Sequence, residues 1–477
     1  MIVMIWLAAI LAYSQSGYAQ EIPVKLLQED FQIMRQALEE AHGGLYRYTS
    51  KRKMDRIFDR AYRKIDHPMS DLEFWRLAGP VVGQIKCGHT GLWFPKRVQI
   101  QLGSTIPLLP LEVRDFADHV YVYRDFSHPG SALEGCKLLS INDVPVGKFL
   151  GQLGAVFAGD GNSRTAKAWF MGVGRVFGMQ LYAQGIESPF RVTYRNRNGK
   201  RQTVELAGMT GPDWDKTWKA RYATPDPPNA DLKLLDAGKI AVLTIRGWFD
   251  FADEDRKLKF SDFLKASFAQ MHDQGTSDLI IDIRDNGGGL DSSVYELFSF
   301  LWNKPFHYYR DIICNGLQFD FFKYDPDAYP VAADAVERRA DGKFHFVKHS
   351  GLGLYQPQEP QFTGRVFVIM NGASFSSSSE FLSLLHFYKR AKFIGEESAG
   401  GYYGSTSGRF VHPILPNSKV ELCFGLLTFY QAVSDYKHPG RGVLPDHPVT
   451  HSISDLLAGR DRDMELALSL ARNQARR

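Results

Sequence analysis

The sequence lacks an excess of charge of either sign. Of its 477 residues, 57 are Lys or Arg and 53 are Asp or Glu, which leaves a net charge of +4 with histidine neutral. So small a balance excludes binding to nucleic acid through bulk charge. The composition, 44% hydrophobic and 23% charged, is that of a folded globular protein. The length suggests about three domains.

Cysteine is also scarce. The four cysteines, Cys87, Cys136, Cys314 and Cys423, are scattered and form no C-x-x-C pair. This spacing does not suggest a zinc site, and it favours buried free thiols over two disulfides. No metal or cofactor is expected for this chain.

Long hydrophobic runs are missing beyond the first residues. Residues 2–13 form one apolar run, which is too short to predict a membrane span, and Gly17, Tyr18 and Ala19 follow it. This pattern predicts a signal peptide over residues 1–19, cut near Ala19, and export to the periplasm or the extracellular space. The alternatives are a short membrane anchor or a buried strand. After cleavage we expect no integral membrane span.

The remaining chain divides into four segments by its hydrophobic pattern. Residues 20–94 show helical spacing, and residues 95–208 show short strands with a hairpin signal at Asn198-Gly199. Residues 209–230 are proline-rich and are interpreted as a linker. Residues 231–477 alternate buried strands with helices, which predicts an α/β fold with a parallel sheet covered on both faces. An insertion is expected at about 318–360.

Individual elements follow from the same periodicities. The expected helices cover residues 29–41, 53–65, 71–82, 260–272, 294–301, 380–390 and 461–472. The expected strands include residues 120–123, 191–195, 202–206, 240–245, 279–283, 366–370 and 392–394.

A glycine run follows one of the buried strands. Residues 282–289 read D-I-R-D-N-G-G-G. Glycines let backbone N–H groups converge on a bound group without a Cβ in the way, which suits an oxyanion or a phosphate. A tight strand-to-helix turn explains the glycines equally well.

A serine run lies between another strand and a helix. Residues 371–380 read N-G-A-S-F-S-S-S-S-E. A hydroxyl at the start of a helix lies beside the positive end of the helix dipole, which favours a developing alkoxide. The structural alternative is a capping box, because Ser377 and Glu380 fit S-x-x-E.

One histidine lies between small residues, in the K-C-G-H-T-G segment at 86–91. His89 is a candidate general base, although a lone histidine is more often structural. A hydroxyl, an imidazole and a loop of N–H donors together provide the groups that acyl transfer needs.

This combination resembles the carboxyl-terminal processing (tail-specific) and tricorn-core family of serine peptidases. The resemblance rests on R-D-N-G-G-G, on the serine-rich helix start followed by I-G-E at 394–396, and on R-G-V-L-P-D at 441–446. It implies a crotonase-like (ClpP-like) α/β spiral core. It also implies a PDZ-like domain over 95–208, whose best match is L-S-I-N-D-V-P-V at 139–146.

The resemblance also implies roles for individual residues. Ser377 is the expected nucleophile, with Ser376 as the competing register, and His89 matches the base of the tricorn-like branch. The backbone N–H groups of Gly288 and Ser378 are the expected oxyanion donors.

The third catalytic residue is less closely matched. Asp435 is the candidate that would orient His89, with Glu396 or Glu397 as alternatives. Tail-specific members use a lysine base, and here Lys437 alone keeps that variant open. The expected protein is an exported serine endopeptidase acting on proteins or peptides. The alternative is a catalytically silent peptide- or ligand-binding protein of the same architecture.

Overall fold

The computed structural model describes residues 21–116, 119–156, 159–225, 227–251 and 259–473. The predicted signal peptide lies outside these ranges. Among the helices that are described, none is both long enough and apolar enough to cross a membrane.

The three predicted helices are the first elements in the described part of the chain. This segment contains α1 (Val24–Ala41), α2 (Lys51–Tyr62), α3 (Asp71–Gly83), β1 (Gly91–Trp93) and α4 (Lys96–Ser104). Phe31, Met34 and Leu38 are buried along one face of α1, as the three- and four-residue spacing predicts. Strand β1 begins two residues after His89.

The strand-rich segment forms a separate layer with its own core. Its elements are β2 (Leu111–Phe116), β3 (His119–Asp125), β4 (Lys137–Ile141), β5 (Val144–Pro145), α5 (Val146–Val156), α6 (Arg164–Met171), α7 (Val176–Ala183), β6 (Phe190–Arg195) and β7 (Arg201–Leu206). The sheet has the order β2-β3-β4-β6-β7, and β5 pairs with β4. The predicted β6–β7 hairpin is confirmed, with Gly199 at a φ of +81° in its turn.

The predicted linker contains a helix instead. Helix α8 covers Gly211–Arg221, and the Thr210 side chain caps its first turn by accepting from the N–H of Asp213. Pro212 lies in that first turn, where a missing N–H costs nothing. Trp214 of α8 is buried and stacks on Phe126, with ring centroids 3.8 Å apart. The linker interpretation was therefore wrong for these residues.

The α/β segment supplies the remaining elements. They are β8 (Ala230–Leu235), β9 (Ile240–Ile245), α9 (Phe260–Asp273), β10 (Asp278–Asp282), α10 (Asp291–Leu301), β11 (Phe306–His307), β12 (Tyr309–Cys314), β13 (Val336–Arg338), β14 (Phe344–Phe346), β15 (Leu354–Tyr355), β16 (Arg365–Met370), α11 (Ser377–Phe387), β17 (Lys392–Gly395), β18 (Thr406–Val411), β19 (Glu421–Gln431), β20 (His447–Pro448), α12 (Ile453–Leu457) and α13 (Arg462–Asn473).

The predicted parallel sheet is confirmed. Its order is β20-β17-β16-β10-β9-β8, with parallel pairing throughout except at the β8 edge. Ala241 and Leu243 face the main core with helices α9 to α11. The alternate residues Ile240 and Val242 face α13 in a smaller core on the opposite side. Both faces are covered, which explains why these strands are apolar without interruption.

A second sheet lies beside the first. It runs β1-β19-β12-β14-β13, and β18 pairs with β19 on the side away from β1. The predicted insertion at 318–360 supplies β13 and β14, which extend this sheet beyond β12. Strand β1 thereby attaches the helical N-terminal segment to the α/β core, next to the end of the serine-rich turn.

Candidate active site

The turn between β16 and α11 holds one serine in an unusual backbone conformation. Ser376 precedes the first residue of α11 and has a φ of 56° and a ψ of −127°. A positive φ costs a non-glycine residue about 1–3 kcal/mol, and such residues concentrate at active sites. Sharp turns of this kind, between a strand and a helix, expose a nucleophile. Ser376 is half-buried, whereas the other serines of the run are buried.

The hydroxyl groups of the run have different partners. Four of them donate to backbone carbonyls and hold the turn together: Ser374 to Ile283, Ser377 to Gly289, Ser378 to Asn286 and Ser379 to Ser374. The Ser376 hydroxyl instead lies 3.0 Å from Nε2 of His89. Of these serines, Ser376 alone is paired with a base.

Stacking of its ring holds His89 against the serine-rich turn. The imidazole stacks on Phe375, with ring centroids 4.4 Å apart, and Phe410 lies 6.0 Å away on another side. Burial lowers the pKa of His89 below its usual value of 6.5, and the nearby Asp160 carboxylate partly opposes this shift. The imidazole is therefore neutral at pH 7 and able to accept a proton.

The predicted nucleophile, Ser377, lies one residue after the serine that contacts His89. The Ser377 hydroxyl is 1% exposed and points at the Gly289 carbonyl, 3.2 Å away. The competing residue, Ser376, makes the contact with His89. The capping box that Ser377 and Glu380 suggested is not formed, because Glu380 Oε2 accepts from the hydroxyls of Tyr308 and Tyr309.

The acidic residues expected to orient His89 lie elsewhere. Asp435 is exposed and accepts from the hydroxyl of its neighbour Ser434. Glu397 is buried in an ion pair with Arg441. Glu396 is half-buried, and burial raises the pKa of its carboxyl. Lys437 is exposed as well. The prediction that Asp435 lies against His89 does not match this arrangement, because its loop faces solvent.

A different carboxylate, Asp160, lies beside the histidine. Its Oδ1 accepts from the N–H of Gly88 at 2.7 Å, and its Oδ2 accepts from the N–H of Gly401 at 3.0 Å. One of its oxygens lies within 4.8 Å of a ring nitrogen of His89. Asp160 therefore ties the histidine loop to the loop that follows β17. Sequence reasoning missed it because it lies inside the strand-rich segment, without a motif of its own.

The group around His89 also has the composition of a metal site. Cys87, His89 and Asp160 each present one ligand atom, all within 4.8 Å of one another. However, the Cys87 thiol donates to the Thr406 carbonyl, and both Asp160 oxygens already accept N–H groups. Burial raises the pKa of Cys87 to about 12, which disfavours the thiolate that a metal needs. The trio is better described as part of the turn's own hydrogen-bond network.

Both predicted oxyanion donors are engaged within the protein. The N–H of Gly288 donates to Asn286 Oδ1 at 3.0 Å, and the N–H of Ser378 donates to the Phe375 carbonyl at 3.1 Å. The N–H of Ser377, next to Ser376, has no acceptor among the described residues. It belongs to the first turn of α11, whose N–H groups have no partner inside the helix.

Gly288 instead allows the glycine run to approach Ser376 closely. A Cβ at this position would lie 2.7 Å from Cβ of Ser376, and the φ of Gly288 is +114°. Only glycine allows the two backbones to approach this far without strain. The glycine run therefore brings its backbone against the serine, whereas the predicted donor, the Gly288 N–H, is bonded to Asn286.

The chain is similar to known peptidases in sequence and in fold. Residues 239–449 match peptidase family S41. The structure of mature CPAF complexed with lactacystin superposes with a TM-score of 0.62 and 15% identity, covering 94% of this chain and 98% of that one. A mutant of CPAF gives 0.63 and 14%, with the same coverage of both chains. No curated protein sequence matches the chain.

The match to a peptidase family indicates the class of the protein. The protein is a serine-type peptidase. Residues 239–449, which make up most of its α/β segment, match the model of peptidase family S41. The likeness to CPAF extends the shared fold over 94% of the chain, including the segments before that core.

Proposed function

We propose that the protein is an exported serine endopeptidase in which Ser376 is the nucleophile and His89 the base. The observation that carries this proposal is the 3.0 Å contact between Ser376 Oγ and His89 Nε2. Burial keeps His89 neutral, so it can accept the serine proton at pH 7. Proteins or peptides are the substrates that the family implies.

The first half of the reaction forms an acyl-enzyme. His89 Nε2 takes the proton of Ser376 as the oxygen attacks the scissile carbonyl carbon. The negative charge that develops on the carbonyl oxygen is placed beside the free N–H of Ser377 and the start of the α11 dipole. The imidazolium then gives its proton to the leaving amine, and the C–N bond breaks.

The second half returns the enzyme to its starting state. Water enters in place of the amine, and His89 removes its proton as the oxygen attacks the acyl carbon. Collapse of the second intermediate releases the carboxylic acid and restores the Ser376 hydroxyl. These steps need only water and groups of this chain.

Asp160 is the positioning group in this proposal. Its charge favours the imidazolium that forms after proton transfer, and its two N–H contacts fix the backbone at Gly88 and Gly401. Nδ1 of His89 is buried and has no hydrogen-bond partner in the described part of the chain. Catalytic hydrogen bonds are often long before substrate binds. We therefore expect the distance between Nδ1 of His89 and the Asp160 carboxylate to shorten on binding.

The rim of the site is apolar, which supports a peptide substrate. Phe410 is 46% exposed and borders the His89 ring. Phe249 and Leu290 are 38% and 47% exposed, and Phe249 lies over Gly289 in the glycine run. Exposed apolar side chains grouped at a polar site mark a surface that is covered on binding. We therefore expect cleavage next to apolar residues.

The finer assignments complete the proposal. The α/β core is assigned a crotonase-like spiral and the 95–208 segment a PDZ-like fold, supported by the motif resemblance and the separate sheet of that segment. Export to the periplasm or the extracellular space is supported by the apolar run at residues 2–13.

The test compares the mature chain with two single-serine variants. Wild type, Ser376→Ala and Ser377→Ala are each incubated with a mixture of unfolded proteins, and new termini are counted by mass spectrometry. New termini from wild type and Ser377→Ala, but not from Ser376→Ala, are expected. Cleavage by Ser376→Ala at the wild-type rate would contradict the proposal. No new termini from any of the three would favour the catalytically silent binding protein.

A further inference from the structure

A second cluster of reactive side chains lies on the sheet that carries β1. Glu421 and Cys423 are two residues apart on β19 and therefore face the same side of the sheet. Strand β1 pairs Trp93 with Glu421 and Gly91 with Cys423. His412 follows β18 on the other side of β19. None of these groups takes part in the proposed peptidase reaction.

Their side chains form a relay of three groups. His412 Nδ1 lies 2.9 Å from Glu421 Oε1, and His412 Nε2 lies 3.9 Å from the sulfur of Cys423. A carboxylate only accepts, so Nδ1 carries the proton and Nε2 presents its lone pair to the thiol. The Trp93 ring contacts His412 edge-on, with centroids 5.9 Å apart, and limits its movement.

The charges of the cluster favour proton transfer from sulfur to nitrogen. Cys423 and then Glu421 raise the pKa of His412, to about 10, against a smaller effect of burial. An imidazole of raised pKa beside a thiol is a base that can accept the thiol proton. The Glu421 carboxylate stabilises the imidazolium in the same way that the acid of a catalytic triad does.

The other three cysteines have surroundings that raise the pKa of the thiol. Burial raises the pKa of the Cys87 thiol to about 12 and of the Cys314 thiol to about 11, and it raises the pKa of Cys136 as well. The thiols of Cys87 and Cys136 donate to backbone carbonyls. In the described ranges, Cys423 is the cysteine paired with an imidazole.

The sulfur lies just beneath the protein surface, since Cys423 is 8% exposed. The residue directly across from it on β1 is Gly91, and the Trp93 ring lies over Gly91, 3.3 Å from the position of a Cβ there. Trp93 is itself 48% exposed, so a small reagent reaches the sulfur past this ring.

We propose that Cys423 is a nucleophilic thiol, activated by His412 and Glu421, which reacts with hydroperoxides and with small alkylating electrophiles. With hydrogen peroxide, the thiol proton passes to His412 Nε2 and the thiolate attacks one peroxide oxygen. The O–O bond breaks, the sulfur is oxidised to a sulfenic acid, and the departing hydroxide takes the proton from His412 to become water. The site is separate from Ser376, so it does not rest on the proposed peptidase mechanism.

The test uses the folded full chain at neutral pH. Iodoacetamide labelling, followed by peptide mass spectrometry, gives a rate for each cysteine. Hydrogen peroxide with a sulfenic-acid trap is the second probe. Cys423 should react about tenfold faster than each of the other three, which are 4% exposed or less.

Two variants separate activation from exposure. His412→Gln should slow Cys423 labelling about tenfold, since the base is lost while the size is nearly kept. His438→Gln, in an exposed loop, is the matched control and should leave the rate unchanged. An equal rate in wild type and His412→Gln would overturn the proposal. So would a Cys423 that reacts only after denaturation. Circular dichroism checks that His412→Gln is folded.

Discussion

His89 Nε2 and Ser376 Oγ lie 3.0 Å apart, although 287 residues separate them along the chain. The histidine reaches the serine because β1, which begins two residues after His89, pairs with β19 of the α/β core. The strand-rich segment adds Asp160 from a third part of the chain. The site therefore depends on the helical segment, the strand-rich segment and the core together.

Activity should be sensitive to substitution at Gly288 of the glycine run. In Gly288→Ala the new Cβ would lie 2.7 Å from Cβ of Ser376, so the serine must shift. Misplacement of about 1 Å costs about 100-fold in rate, and we expect kcat/KM to fall by this order. Hydrolysis of a peptide substrate measures the effect.

Gly287→Ala is the matched control for this change. No atom lies within 4 Å of a Cβ at Gly287, and this glycine is exposed. Its activity should stay within about twofold of wild type, as surface substitutions usually do. Equal losses in the two variants would show that the close approach of Gly288 to Ser376 is unimportant.

The pH profile should report the charge of Asp160. His89 must be neutral to act as a base, so kcat/KM rises with pH through the pKa of His89. Burial places this pKa below 6.5, and the Asp160 carboxylate raises it. Asp160→Asn should therefore move the acid limb to lower pH and also reduce kcat.

Asp435→Asn provides the comparison for that profile. Asp435 is exposed and bonded to Ser434, so its loss should leave both the acid limb and kcat as in wild type. If Asp435→Asn moves the acid limb and Asp160→Asn does not, Asp435 and not Asp160 orients His89.

A buried acid near the nucleophile helix should make stability depend on pH. Tyr309 lies within hydrogen-bond distance of both Asp291 and Glu380, and Tyr308 donates to Glu380. One phenolic proton cannot serve two carboxylates, so one carboxyl keeps its own proton. Burial, with the charge of Asp291, raises the pKa of Glu380 above its usual 4.5.

The sign of this effect is fixed by the raised pKa. The folded state holds a proton that the unfolded chain releases near pH 4.5, so the free energy of unfolding falls as pH rises towards the folded pKa. Glu380→Gln cannot ionise and should show a smaller fall between about pH 5 and about pH 9. Urea unfolding at both pH values measures it. An unchanged difference would show that Glu380 is ionised in the folded protein.

Much of the fold could be predicted, because the elements carry clear periodicity. The buried strands of the core are apolar on both faces, and the predicted bounds of 240–245 match β9. The α8 helix was missed because proline suggests a linker unless its first-turn position and the Thr210 cap are recognised. Local sequence did not show that Trp214 has Phe126 as a stacking partner.

The components of the site could be predicted from the sequence, but not which serine of the run is the nucleophile. His89, the glycine run and the serine run each lie next to a helix or strand. Their residue types could therefore be recognised as candidates for catalysis. Four consecutive serines are identical in type, and only the backbone conformation at Ser376 distinguishes the one that faces His89. Asp160 could not be found, because its role arises from contacts with Gly88 and Gly401, both distant in sequence.

The central claim is that Ser376, and not Ser377, is the nucleophile. A fluorophosphonate, which reacts covalently with activated serines, should be incubated with wild type, Ser376→Ala, Ser377→Ala and His89→Ala, and the adduct located by tandem mass spectrometry. The account predicts an adduct on Ser376 in wild type and in Ser377→Ala, none in Ser376→Ala, and slow labelling in His89→Ala. An adduct on Ser377, or labelling retained in Ser376→Ala, would contradict it.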